Sequence, residues 1–128
     1  MARSYQKISG ALNPDGGTFE VFLEESVIRQ AVNGPGARFH NMRLMKEVLE
    51  KPHEVHLGLR DPEDQDHGLA YVGYPDHALS AEGETRPMPK GMAFIVFMTK
   101  NRFVYDWRWD VLGDPALRFP GGRTWPKS

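Results

Sequence analysis

Seven consecutive apolar residues, MAFIVFM from Met92 to Met98, constrain this chain more than any other stretch. A run this short cannot span a bilayer, which takes about 20 residues of helix. Read as a strand it is apolar on both sides, so it must lie inside a sheet with both faces covered. Its neighbours must then pair with it on either side. The turn KNR and the stretch FVYDWRWDV after it supply one partner as a hairpin, which puts Phe103, Tyr105, Trp107 and Trp109 on one face and Val104, Asp106, Arg108 and Asp110 on the other. That aromatic face would either pack beneath the helices or form a stacking platform.

The rest of the chain supplies the remaining layers. TFEVFL, from Thr18 to Leu23, alternates as a strand, and EESVIRQAV gives one or two helical turns with Ser26 as a cap. NGPG stops that helix. A longer helix runs from about Ala37 to Glu50, with Phe39, Met42, Met45, Val48 and Leu49 on one stripe, and Pro52 ends it. The period then changes to two. HEVHLGLR and LAYVGYP read as strands around the loop DPEDQDHG, and 76–90 as an irregular connection. The fold class expected is α+β, with two N-terminal helices packed on a mainly antiparallel sheet of four or five strands. Residues 1–17 form a loose arm, 18–111 a single domain, and 112–128 a Pro- and Gly-rich tail packed on it.

Length and charge bound the function. One domain of 128 residues can bury one real core. A formal net charge of −1 gives no global basic field, so a nucleic-acid partner must be held by a local patch. With no cysteine, thiolate metal sites, disulfides and a cysteine nucleophile are excluded. No apolar leader precedes the first strand, and the chain reads as a cytoplasmic protein with no membrane partner.

Four clusters carry candidate chemistry. NGPGARFHNMR places Arg38, His40 and Arg43 near a helix start, whose N–H groups suit an anion or serve only as a solvated connection. His53 and His56 lie three apart on a strand and face opposite ways, so they cannot share a metal, and no metal or cofactor is expected. A single histidine acting as general acid or base near neutral pH stays open. The acidic loop around Asp61, Glu63, Asp64 and Asp66 lacks calcium-loop spacing and reads as solvated. Finally, Arg60 and Tyr71 with Lys100, Arg102 or Arg108 could share a sheet face. Groups of that kind, a base, a cation and an acid, suffice to cleave RNA without a metal.

The order of elements resembles a family. VFLEES leading into a helix, a second helix ending in VLEKPHEVH, and then MAFIVFMTKNRFVYDW follow the layout of the barnase–EndoU–colicin–RelE superfamily of small toxin nucleases, especially its phage-borne members. Leu49, Pro52 and Val55 match the Leu-x-x-Pro-x-x-Val phrase at the end of their helix, and the likeness covers about residues 18–110. It implies metal-independent RNA cleavage across the concave sheet, with His40 or Arg43 at the helical basic position and Arg60 at the strand position. The chain has YDWRW where such nucleases often place a Ser or Thr. The expected catalytic set is thus His40, Arg43, Arg60 and Tyr71, with Arg38, Arg108, Trp107 and Trp109 binding RNA. The other reading is a non-catalytic domain that binds a protein or peptide through an exposed patch at Tyr105, Trp107 and Trp109.

Overall fold

The structure, a computed structural model, describes residues 5–33, 38–60, 67–75, 77–79, 85–87, 92–99, 101–111 and 122–126, with side chains for 6–30, 42–57, 68–75, 92–99, 101–111 and 122–126. In chain order its elements are β1 (Tyr5–Leu12), β2 (Thr18–Glu24), α1 (Glu25–Asn33), α2 (Arg38–Glu50), β3 (Glu54–Arg60), β4 (His67–Gly73), β5 (His77–Leu79), β6 (Thr85–Pro87), β7 (Met92–Met98), β8 (Phe103–Val111) and β9 (Arg123–Trp125). Seven strands form one sheet in the order β1-β2-β8-β7-β4-β3-β9, and β5 pairs with β6 apart from it.

The expected architecture needs correction. Its helices and its central strands exist, but the sheet has seven strands rather than four or five, and it is mixed. The antiparallel meander β3-β4-β7-β8 is extended on one side by the hairpin β1–β2, which joins β8 in parallel through Phe22 opposite Phe103 and Leu23 opposite Val104. On the other side β9 pairs with β3. Strands therefore occupy Tyr5–Leu12, in the expected arm, and Arg123–Trp125, in the expected tail. The connection over 76–90 likewise contains the short β5–β6 pair.

Two irregularities explain why β1 escapes a reading by alternation. Ile8 and Ala11 both face the core, three residues apart, because the register shifts between them. Gly10 sits in that shift at φ 93°, a conformation glycine adopts without the steric cost of a side chain.

The core lies between the sheet and the helices. Val27 of α1 and Leu44, Met45, Val48 and Leu49 of α2 meet Val21, Leu23, Val55, Tyr71, Phe94, Val96, Met98 and Val104 from the strands. Each fully buried aliphatic chain here contributes roughly 1.5–3 kcal/mol relative to exposure. Helix α2 packs against β1, β4 and β7, although β1 and β4 are separated by three strands in the sheet order. The sheet must curl around the helix for both to reach it. A hydrogen bond fixes that curl: the Tyr71 hydroxyl of β4 donates to the Leu12 carbonyl at the end of β1, 2.5 Å away. Burial raises the Tyr71 phenol well above its ordinary range. Pro52 is buried immediately after α2, whose last turn closes through Lys51 N–H donating to the Glu47 carbonyl.

The strand Met92–Met98 is central and buried on both faces, as its composition demands. Phe94, Val96 and Met98 belong to the helix-side core, whereas Ala93, Ile95 and Phe97 join Ala70 and Val72 in a second buried cluster on the opposite face.

Candidate active site

The pairing registers lay out the second sheet face in rows, since directly opposed residues share a face. One row reads Arg123, His56, Ala70, Phe97, Asp106 across β9, β3, β4, β7 and β8. The next reads Glu54, Val72, Ile95, Arg108, and a third pairs Ala93 with Asp110. An apolar floor of Ala70, Val72, Ala93, Ile95 and Phe97 thus separates two polar walls, three strand spacings or about 14 Å apart.

The first wall holds Glu54, His56 and Arg123. Glu54 and His56 lie two apart on β3, so the strand repeat points both to this face. His56 Nε2 and Glu54 Oε2 are 3.2 Å apart. A carboxylate only accepts, so the shared proton sits on His56 Nε2. The imidazole is 3% exposed, while Glu54 remains partly open to solvent. Burial thus fixes the ring and leaves the carboxylate accessible. Arg123, directly across the ladder from His56, is exposed. Its strand is held by Leu57 N–H donating to the Gly122 carbonyl and by the Thr124 hydroxyl donating to the Val55 carbonyl.

Tyr74 and His53 complete this end of the face. Tyr74 follows β4 and packs on the second buried cluster. Its main-chain N–H donates to His53 Nδ1 at 3.3 Å, and the two rings meet edge to face at 5.3 Å. Burial and then the Glu54 charge push the Tyr74 phenol upward from its ordinary range, keeping it protonated.

The second wall is differently built. Arg108 lies over the Phe97 ring at 5.0 Å and donates to Asp106 at 2.9 Å. Phe97 also meets Tyr105, which is 41% exposed. The expected parity of this strand holds through Tyr105 and is wrong beyond it. A β-bulge places Tyr105 and Asp106 together against Phe97, because Met98 opposes Val104 and Phe97 opposes Asp106. After it the faces exchange. Trp107 and Trp109 pack toward the helices with Val104, and both rings contact Phe94, Trp107 stacked at 5.3 Å and Trp109 edge-on at 5.0 Å. The continuous aromatic face expected at Phe103, Tyr105, Trp107 and Trp109 is therefore divided between the two sides of the sheet.

Of the residues expected to form the site, those with described side chains do not share one surface. Tyr71 is fully buried beneath the helices with its hydroxyl bonded to Leu12, and Trp107 and Trp109 share that side. Arg108 is on the opposite side. Arg43 is exposed on α2. Arg38 opens α2, His40 lies in its first turn and Arg60 ends β3, but their side chains fall outside the described residues. So do the whole of Lys100, the glycine-rich turn before α2 and the acidic loop 61–66. The sequence reading left open one acid–base histidine but did not single out Glu54, Tyr74 or Arg123. The Glu-x-His spacing on a strand was the available signal for the first of these.

Among the described residues no group of three His, Asp or Glu side chains is arranged to hold a metal, and no helix is long and apolar enough to cross a membrane. No family model, curated protein or solved structure matches this chain.

Proposed function

We propose that this chain is a metal-independent RNA-cleaving enzyme, and that Glu54 is its general base. The observation that carries the reading is the Glu54–His56 pair at 3.2 Å, a solvent-reachable carboxylate backed by a buried imidazole. Glu54 removes the proton of a ribose 2′-hydroxyl, and the 2′-oxygen attacks the adjacent phosphorus. His56 does not touch substrate; it is a positioning residue that keeps one carboxylate oxygen occupied and the other directed outward. Arg123, across the ladder from His56, supports the charge that accumulates on the phosphorane oxygens. The product is a 2′,3′-cyclic phosphate and a released 5′-hydroxyl. A positioned base contributes about 10²–10⁴ in rate. The sequence phrases VFLEES, VLEKPHEVH and MAFIVFMTKNRFVYDW, whose order resembles that of the small toxin nucleases, favour the same class of reaction.

With a net charge of −1, affinity must come from local cations rather than a general field. The test is incubation of the purified chain with unstructured RNA in excess chelator, with end-group analysis of the products. Cyclic phosphate ends, lost in Glu54→Gln, are the expected result. RNA left intact, or cleavage indifferent to Glu54→Gln, refutes the proposal.

A further inference from the structure

Resting on that reading, we propose that Tyr74 is the general acid of the reaction, donating its phenolic proton to the 5′-oxygen as that oxygen leaves phosphorus. Three features of the geometry single it out. Tyr74 packs on the same buried cluster as Ala70, Val72 and Ile95, so it shares the sheet face of Glu54. Glu54 opposes Val72, and Tyr74 lies two residues beyond Val72, which makes it the diagonal neighbour of Glu54 across the ladder. Diagonal partners have backbones about 7–8 Å apart, close enough for a long ring to reach and wide enough to admit one phosphate. Third, its main chain is pinned by His53 Nδ1 and its ring by the edge-on contact with the His53 imidazole, while the hydroxyl makes no hydrogen bond among the described residues.

The protonation state suits the role. Burial and the adjacent carboxylate both favour the neutral phenol, so the proton is present when the leaving group needs it. The reaction balances without further components. The 2′-O–P bond forms as the P–O5′ bond breaks, Glu54 gains the 2′-hydroxyl proton, and Tyr74 gives its proton to the 5′-oxygen. His53, whose Nδ1 is occupied by the Tyr74 N–H, is a positioning residue here.

The experiment compares two substrates in wild type, Tyr74→Phe and Glu54→Gln. One is a ribodinucleoside monophosphate, whose alkoxide leaving group requires a proton. The other is uridine 3′-(4-nitrophenyl phosphate), whose nitrophenolate leaves without one. Tyr74→Phe keeps the ring and its packing, and its melting temperature reports that the fold is intact. The expected result is a loss of about 10²-fold or more on the dinucleotide and under ~3-fold on the nitrophenyl ester, with Glu54→Gln losing about 10²-fold on both. Equal losses on the two substrates in Tyr74→Phe, or no loss on either, overturn the assignment of Tyr74 and leave the role of Glu54 standing. Wild-type protein that cleaves neither substrate overturns both.

Discussion

Tyr71 and Leu12 are hydrogen-bonded to each other from strands that three others separate in the sheet. The bond is possible because the sheet wraps around α2, and it satisfies a carbonyl at the very end of β1. Tyr71→Phe should therefore destabilise the protein by about 0.5–1.5 kcal/mol, the net worth of one part-buried hydrogen bond. The phenol is raised above its unfolded value of 10.0, so the folded state holds its proton more tightly than the unfolded chain. That contribution to stability is complete below pH 10 and falls as pH rises further. Urea unfolding across this range should show a steeper alkaline loss in wild type than in Tyr71→Phe.

Gly73 faces Val48 so closely that an added Cβ would lie 2.6 Å from Val48 Cγ2. Gly73→Ala should cost about 1–3 kcal/mol through overpacking. Val48→Ala in the same chain removes the clash, so the double variant should lose less than the two single losses summed. Equilibrium denaturation of the four proteins measures the coupling.

The bulge in β8 predicts an unusual tolerance. Deleting Tyr105 leaves Val104 opposite Met98 and Asp106 opposite Phe97, so every later side chain keeps its face. Deleting Arg108 instead turns Trp109 away from Phe94. The first deletion should retain a cooperative thermal transition. The second should cost on the order of 3–5 kcal/mol, the scale of losing a packed Trp from a core.

Arg123 is exposed and, among the described residues, held through the pairing of its strand, so Arg123→Ala should shift stability by no more than about 0.5 kcal/mol. On the proposed mechanism it should nonetheless slow RNA cleavage at least ~10-fold, with Arg123→Lys recovering part of the loss. Unfolding and cleavage measured on one preparation separate the two effects.

What the sequence made legible follows the range of the interactions involved. The stripe of α2, its stop at Pro52, the central strand Met92–Met98 and the hairpin into Phe103 are written in local periodicity. Strands β1 and β9 are not. β1 mixes polar and apolar residues and loses its alternation at the register shift around Gly10, while β9 has three residues within a Pro- and Gly-rich stretch and pairs with β3, far away in the chain. The bulge at Tyr105 reversed an alternation that the sequence states plainly. One inserted position sends Trp107 and Trp109 to the helices. Tyr71 misled for a related reason. Its strand is covered on both sides, so a polar tip gave no sign of which face it served. Glu54 and His56 were readable as a same-face pair, but Tyr74 and Arg123 join them only through strand pairing.

In the proposed reaction, cleavage depends most directly on the carboxylate of Glu54. The decisive measurement is the single-turnover rate of cleavage of a ribodinucleoside monophosphate in excess chelator by wild type and Glu54→Gln, with matched melting curves. A cyclic phosphate product and a rate about 10² or more lower in the variant are expected. Equal rates in the two folded proteins, or no cleavage by wild type, would contradict the proposal.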